Sequence, residues 1–154
     1  MARLGLLIAT CGYVGYAPVA PGTFGSAVGV AAFYAIRATG SSTAELAAIV
    51  LVFAIGVWSA TVTERALNMT DPGPVVIDEV VGMLMTLALL PLNGVGVLVG
   101  FLVFRVFDVV KPWPAARFEA LHGGLGVMAD DAMAGIYGNL VMRGLLLLAP
   151  SWFS

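Results

Sequence analysis

The sequence predicts one all-α domain over residues 1–154, a compact polytopic transmembrane helical bundle of about five main helices. Hydrophobic residues make up 60% of the chain and charged residues only 10%, against roughly 25% charged in an ordinary soluble domain. The mean hydropathy of +1.01 leaves no polar segment long enough for a separate soluble domain. The apolar runs are long, rich in Ala, Leu and Met, and lack period-two alternation, so they favour helices over strands.

Charges and helix breakers divide the chain into five apolar stretches, each long enough for a helix. Several are shorter than the roughly 20 residues that span a bilayer at 1.5 Å per residue, so these helices must extend into their polar flanks or form a compact bundle. Short turns at 39–42, 71–74 and 92–94 and a longer connection at 112–129 join them. The five stretches are 24–36, 44–62, 80–92, 95–110 and 132–149.

Residues 1–22 are predicted to form an interfacial or re-entrant segment before the first main helix. A lipoprotein signal peptide that ends at Cys11 is the alternative. Its apolar run, 4–9, is shorter than the roughly 7 to 15 residues of such peptides. Cys11 is the single cysteine, which excludes an intrachain disulfide and a cysteine-based metal site.

Acidic residues collect on one side of the predicted bundle. If the five helices alternate in direction, the first, third and fifth begin on the side where the second and fourth end. Arg3, Arg65, Lys111 and Arg117 accompany the acids there, and because Lys and Arg mark the cytoplasmic face, this side is expected to face the cytoplasm. Seven of the nine acidic residues fall on it: Glu64, Asp71, Asp78, Glu79, Asp108, Asp130 and Asp131.

Two acidic pairs, Asp78–Glu79 and Asp130–Asp131, are predicted to open the third and fifth helices. Helix capping is the alternative interpretation, since helix N-termini favour negative charge by up to about 1 kcal/mol. One acid would suffice as a cap, however, and adjacent carboxylates repel each other unless a cation lies between them. Two pairs on one face therefore favour a metal site. Glu64 and Asp71 are interpreted as flanking residues.

Arg105, Asp108 and Lys111 recur at every third position and so share one side of the fourth helix. A structural triad of ion pairs is one interpretation. The functional one is that Asp108 binds a metal while Arg105 and Lys111 bind phosphate oxygens. A ligand set of oxygen atoms favours Mg²⁺ over zinc, and Mg²⁺ typically bridges carboxylates to a substrate phosphate.

Two glycine-rich segments, 21–26 and 122–126, fall on the same side. Free N–H groups at a helix start can cradle a phosphate, and Thr23 and Ser26 add hydroxyl donors. Close helix packing is the alternative role for these glycines. His122, the only histidine, is either a proton donor or, as we favour, a polar interfacial residue. Arg143 is expected to find a partner within the bundle or to snorkel.

These residues together resemble the phosphatidylglycerophosphatase A family of bacterial membrane lipid phosphatases. The likeness runs through four blocks in order, at 17–26, 77–83, 104–114 and 122–135. It implies a Mg²⁺-dependent enzyme of phospholipid biosynthesis that converts phosphatidylglycerophosphate to phosphatidylglycerol and inorganic phosphate. It also implies a multi-pass protein of the bacterial inner membrane, with its active site facing the cytoplasm and no nucleic-acid partner.

The resemblance assigns roles to individual positions. Five acidic residues match the family's acidic positions and are the expected metal ligands: Asp78, Glu79, Asp108, Asp130 and Asp131. All of these except Glu79 are also expected to be catalytic. Five further residues match in place and are expected, from their chemistry, to bind the phosphate: Thr23, Ser26, Arg105, Lys111 and His122.

Two chemical routes and two other functional classes stay open at this point. Metal-activated water could attack the phosphomonoester, or Asp108, Asp78 or Asp130 could form an aspartyl-phosphate intermediate. A small divalent-cation carrier or channel would also gather acids, although near the bilayer midplane and not at helix ends. A structural bundle without chemistry has little use for doubled acids on one face. The number of metal ions and the oligomeric state do not follow from sequence.

Two other classes of lipid-phosphate enzyme are disfavoured. A CDP-alcohol phosphotransferase should show an Asp-Gly-x-x-Ala-Arg run, which this chain lacks, and histidine-based lipid phosphatases need more than one histidine.

Overall fold

The computed structural model describes residues 1–118 and 121–154, which form helices and turns without a strand. The predicted all-α class is therefore confirmed for these residues. The five predicted stretches correspond to α2, α3, α4, α5 and α7, and residues 119–120 of the predicted long connection lie outside the described ranges. The helices are α1 (Ala2–Ala9), α2 (Pro21–Arg37), α3 (Ser42–Leu67), α4 (Ile77–Leu87), α5 (Gly94–Val110), α6 (Ala115–Phe118), α7 (Gly124–Leu148) and α8 (Pro150–Phe153), with a 3₁₀ turn at Val14–Tyr16.

Helix α4 is the centre of the bundle and packs against α2, α3, α5 and α7. Nine of its residues are buried, so the helix is covered on all sides, as expected of a core helix. Small residues bring its neighbours close. A Cβ at Gly135 of α7 would lie 2.6 Å from the carbonyl oxygen of Gly82, and one at Gly29 of α2 would lie 2.6 Å from Met83 Cβ. Backbones can approach this closely only where a side chain is missing.

Two helix boundaries differ from the sequence prediction. Helix α4 ends at Leu87 and not at residue 92, because Pro91 lacks a backbone donor and disfavours helix at the residue before it. Helix α7 begins at Gly124, well before the predicted residue 132. Asp130 and Asp131 therefore lie in its second turn, and the prediction that they open this helix is wrong.

The N-terminal segment packs on the bundle ahead of α2. Helix α1 lies against α3, where a Cβ at Gly5 would meet Val62. The connection before α4 is held by a hydrogen bond of 2.9 Å from Val76 N–H to the carbonyl of Ala9. This packing places α1 and the 68–76 connection next to the start of α4.

Of the described helices, α3 is the one long and apolar enough to cross a membrane, with a mean hydropathy of 2.2 over its best window. Five separate spans are thus not confirmed. The 11 residues of α4 reach about 16 Å, roughly half the hydrocarbon thickness. Helix α7 is long enough but carries Asp130, Asp131 and Arg143 within it.

Contacts along α3 show where the acidic residues lie in the bundle. A Cβ at Gly124 would lie 2.7 Å from Thr61 N, and one at Gly56 would lie 2.6 Å from Met128 Sδ, so α7 runs back along α3. Asp131, one turn beyond Met128, is therefore level with the middle of α3. From Gly56, α3 continues for about 16 Å to its C-terminal end. The acids therefore lie well inside the bundle, away from the edge at which α3 ends.

Candidate metal and phosphate site

Three carboxylates converge where α4 begins beside α7. Asp78 and Glu79 lie in the first turn of α4, as predicted, and Asp131 lies in the second turn of α7. One ligand oxygen from each residue lies within 4.8 Å of the other two. This spacing is suited to a single cation bound between them.

Each of the three carboxylates has one oxygen that is buried without a hydrogen-bond donor. Within the described ranges, Asp78 Oδ1, Glu79 Oε2 and Asp131 Oδ2 are inaccessible to solvent and have no hydrogen-bond partner. An ionised carboxylate left in this state is strongly destabilising. A divalent cation bound between the three residues would compensate these carboxylates, and hard cations such as Mg²⁺ prefer oxygen ligands of this kind. The donor set therefore fits a metal ion.

The electrostatics of the cluster agree with this interpretation. Asp78 and Glu79 precede the predicted apolar stretch 80–92, and Asp130 and Asp131 precede the stretch 132–149. Burial raises the pKa of Asp78 well above the usual aspartate range, and the charge of Glu79 raises it further. Burial likewise raises the pKa of Asp131, followed by the charge of Asp108. The pKa values of Glu79 and Asp130 are also raised, mainly by burial. A bound cation would oppose these shifts by favouring the charged forms.

Arg105 connects the cluster to α2 and α5. Its guanidinium forms an ion pair with Asp108, one turn further along α5, and its Nη1 lies 4.0 Å from Glu79 Oε1. Nη1 also donates to Ser26 Oγ at 3.5 Å, while the Ser26 hydroxyl donates to the Gly22 carbonyl at 2.8 Å. Asp108, which is predicted as a metal ligand, thus lies beside the three carboxylates together with Arg105 and Ser26, which are predicted as phosphate ligands.

Gly22 is essential to this arrangement. A Cβ at this position would collide with Glu79 Oε1 and would lie 3.0 Å from Arg105 Nη1. The first glycine-rich segment therefore brings α2 against the Glu79 carboxylate, which is the packing role that the sequence left open for it.

Lys111 and Asp130 bind each other on the α7 side of the cluster. Lys111 caps α5 with a left-handed φ of 45°, and its Nζ donates to Asp130 Oδ2 at 2.6 Å. The other oxygen, Asp130 Oδ1, accepts from Asp131 N–H at 2.9 Å. Unlike Asp78, Glu79 and Asp131, Asp130 has a partner for both oxygens, and it positions the lysine beside the site.

Two predicted phosphate ligands lie further out. Thr23 is half-buried in the first turn of α2, and His122 is exposed just before α7. Neither is joined to the acids by a hydrogen bond within residues 1–118 and 121–154. Glu64 Oε1 accepts from Asp71 N–H at 3.0 Å, which suits their interpretation as flanking residues. Asp71 is nevertheless close enough to raise the pKa of Asp78 and Asp130.

Sequence reasoning missed the polar group at the far end of α4. Asn139 Nδ2 donates to the carbonyls of Met85, Thr86 and Ala88 at 3.0 to 3.1 Å. Arg143 Nε donates to Asn139 Oδ1 at 2.8 Å, so the predicted partner of this arginine is found. An asparagine four residues before an arginine in an apolar stretch was the available signal.

Comparison with known proteins identifies the family. The family model described as phosphatidylglycerophosphatase A matches residues 7–146. The chain belongs to this family. A phosphatidylglycerophosphatase A from Escherichia coli is 37% identical over 124 residues, which cover 79% of this chain and 72% of that protein. Its Haemophilus influenzae counterpart is 35% identical over 125 residues, which cover 80% and 77%.

A third relative has a different name. A Bacteroides thetaiotaomicron protein named as a candidate phosphatidylinositol-3-phosphatase is 36% identical over 146 residues, which cover 90% of this chain and 91% of that protein. No solved structure matches the chain. Membership of the phosphatidylglycerophosphatase A family makes the chain a phosphatase, and the resemblance inferred from the four sequence blocks is confirmed.

Proposed function

We propose that this protein hydrolyses the phosphomonoester of phosphatidylglycerophosphate, which yields phosphatidylglycerol and inorganic phosphate in phospholipid biosynthesis. One observation supports the site above all others. Three carboxylates, each with a buried oxygen that has no donor within the described ranges, lie together beside an arginine and a lysine in a member of a lipid phosphatase family. The carboxylates can bind a cation, and the arginine and the lysine can bind a phosphate.

Asp78, Glu79 and Asp131 are the proposed ligands of Mg²⁺, and Asp108 and Asp130 lie next to them as further ligands. When bound, Mg²⁺ would neutralise charge on the phosphate and make a bound water a better nucleophile. Asp108 pairs with Arg105 and Asp130 pairs with Lys111, so both carboxylates lie beside the groups that are proposed to bind the phosphate. This position also suits Asp108 to the alternative role of nucleophile in an aspartyl-phosphate route.

Arg105 and Lys111 are the proposed partners of the phosphoryl oxygens. Arg105 lies on α5 and Lys111 caps it, and both side chains are about one-quarter exposed, so an incoming phosphate can reach them. A guanidinium binds two phosphate oxygens in one plane, whereas the Lys111 ammonium acts as a point charge. Ser26 fixes the Arg105 guanidinium from α2. Thr23 and His122 are kept as outer contacts of the headgroup.

The protein is proposed to lie in the bacterial inner membrane with the site open to the cytoplasm. Cysteine labelling in intact and in lysed cells tests this, in a Cys11→Ser background. Gly73 and Gly94 have open space around them, and α3 and α5 place them at opposite ends of the bundle. Gly73→Cys and Leu121→Cys should label only after lysis, and Gly94→Cys should label in intact cells. The reverse pattern would contradict the orientation.

Phosphatidylinositol 3-phosphate is the second candidate substrate, because of the name of the Bacteroides relative. Both lipids carry a phosphomonoester on a polar alcohol beside acyl chains, so the same cation site would serve either. The experiment that tests the function is phosphate release by purified protein from each lipid, with and without Mg²⁺. Faster release from phosphatidylglycerophosphate is expected. Release from neither lipid, together with Mg²⁺ flux in proteoliposomes, would support the divalent-cation carrier instead.

A further inference from the structure

An apolar groove of about 350 Å³ runs between α2 and α5 on the outside of the bundle. Ala27 and Val30 line it from α2, and Val97, Leu98 and Phe101 line it from α5. Leu98 is 59% exposed, so the groove is open along its length. From Gly94 to Phe101 it extends for about 10 Å along α5.

The groove begins at the charged site. Ala27 directly follows Ser26 along α2, and Phe101 lies one helical turn before Arg105 on α5. Arg105 donates to Ser26 across the end of the groove nearest the site. The guanidinium that is proposed to bind phosphate therefore adjoins the apolar groove. A molecule that fits both parts must have an anionic end and an alkyl chain attached to it.

We propose that this groove holds one acyl chain of the substrate lipid while its phosphate is bound at Arg105, beside the cation site that the three carboxylates would form. The inference rests on the proposed function, and it names the part of the protein that aligns the lipid. The acids are level with the middle of α3, so a lipid whose phosphate reaches the site must place its chain along the N-terminal half of α5. The groove occupies that half.

The neighbouring groove between α5 and α7 is less suitable, because contacts join its two walls. The Phe107 and Tyr137 rings, which both line that groove, contact each other with centroids 5.6 Å apart, and the Tyr137 hydroxyl donates to the Trp113 carbonyl at 3.1 Å. The groove between α2 and α5 is therefore the better candidate.

The groove is expected to act through orientation and not through burial energy. A lipid tail is already in an apolar solvent, so its transfer to a Val- and Leu-lined surface changes the free energy little. Holding the chain fixes the position of the phosphate relative to the attacking group, which is worth a modest factor for one restricted contact. Loss of the groove should therefore lower kcat/KM about 10-fold, while the metal site stays intact.

The test compares phosphatidylglycerophosphate with its deacylated headgroup, glycerophosphoglycerophosphate, which carries the same phosphomonoester. Ala27→Phe fills the groove, and Ala47→Phe is the matched control in an apolar groove lined by α3 alone. With Ala27→Phe, the loss of kcat/KM should be at least about 5-fold larger for the lipid than for the headgroup. Ala47→Phe should change neither value. Equal losses on both substrates with Ala27→Phe would overturn the proposal.

A second measurement does not depend on turnover. A phosphatidylglycerophosphate with a photoactivatable diazirine in its acyl chain should label peptides from α2 and α5 in preference to the α3 peptide around Ala47, and Leu98→Trp should reduce that labelling. Uniform labelling of all apolar faces would overturn the groove assignment even in an active enzyme. An inactive wild-type protein that still shows the selective labelling would instead contradict only the proposed hydrolysis.

Discussion

The polar groups at the two ends of helix α4 differ in whether they have hydrogen-bond partners. At its C-terminal end, Asn139 alone donates to three carbonyls. The two residues that follow Ala88 are also hydrogen-bonded. The carbonyl of Leu90 accepts from Arg37 at 2.5 Å, and the N–H of Leu89 donates to Glu45 at 2.8 Å. At its N-terminal end, three carboxylate oxygens of the acidic cluster have no donor within the described ranges.

This difference separates a structural polar group from a functional one. A buried polar atom that has its partner stabilises the fold, whereas one without a partner costs about 1 to 3 kcal/mol and more if it is charged. The Asn139 end therefore holds α4 against α7. The acidic end is destabilising unless a ligand binds there, which is typical of a site selected for binding a cation. Substitutions at the two ends should consequently have opposite effects on stability and activity.

The largest effect is expected for Asp131→Asn. Loss of one carboxylate from the three should reduce phosphate release at least about 100-fold, or about 2.7 kcal/mol of transition-state stabilisation. Without Mg²⁺, the Tm should not fall, because the variant replaces a buried carboxyl group whose Oδ2 has no donor within the described ranges. The rate of phosphate release and the Tm of the purified protein measure the two effects.

Magnesium binding provides the control for that variant. Excess Mg²⁺ should raise the Tm of the wild-type protein, since a ligand of the folded state stabilises it by mass action, and should leave that of Asp131→Asn nearly unchanged. Equal Tm shifts in the two proteins would place the Mg²⁺ site elsewhere, and full activity in Asp131→Asn would remove this residue from the site.

The opposite result is expected for Asn139→Leu. Three carbonyls at the end of α4 lose their donor, so the free energy of unfolding should fall by about 2 kcal/mol, which lowers Tm by roughly 4 to 8 °C. The rate per folded molecule should stay within about 2-fold of wild type at a temperature where both are folded. An Asn139→Leu protein that is stable but inactive would show that this end, too, takes part in the reaction.

A smaller effect is expected for Arg105→Lys, which keeps the charge but not the planar fork. The lysine can pair with Asp108 or with phosphate but cannot form two parallel hydrogen bonds, so kcat/KM should fall about 10-fold. Arg143→Lys is the matched control, because the same exchange occurs at the Asn139 end of α4. Equal losses in both variants would indicate a general effect of arginine on the fold.

The smallest effect is expected for Ser26→Ala. The substitution removes a 3.5 Å contact to Arg105 and the bond to the Gly22 carbonyl, and it leaves every proposed metal ligand in place. Phosphate release should fall about 3-fold, through KM more than through kcat, because Ser26 positions a substrate-binding group. A loss above about 100-fold would mean that Ser26 itself contacts the reacting phosphate.

Much of the fold and part of the site followed from sequence. Apolar stretches bounded by charge predict helices because burial of an apolar helix face depends on local pattern, and all five correspond to helices of the structure. The pairing of Asp78 with Glu79 at the start of α4 was likewise local. Helix boundaries at Leu87 and Gly124 were not predictable from hydropathy, because Pro91 and close packing of Gly124 on α3 decide them.

The tertiary structure alone decided how the acids divide their roles. By itself, the sequence determined the helical class, the family and the set of charged residues from which the candidate site is built. It could not distinguish Asp130, whose oxygens are both bonded, from Asp131, whose buried oxygen lacks a donor. That distinction depends on where α4, α5 and α7 meet. Adjacent residues on one helix point about 100° apart, so packing against the neighbouring helices determines which carboxylate faces Lys111 and which faces the site.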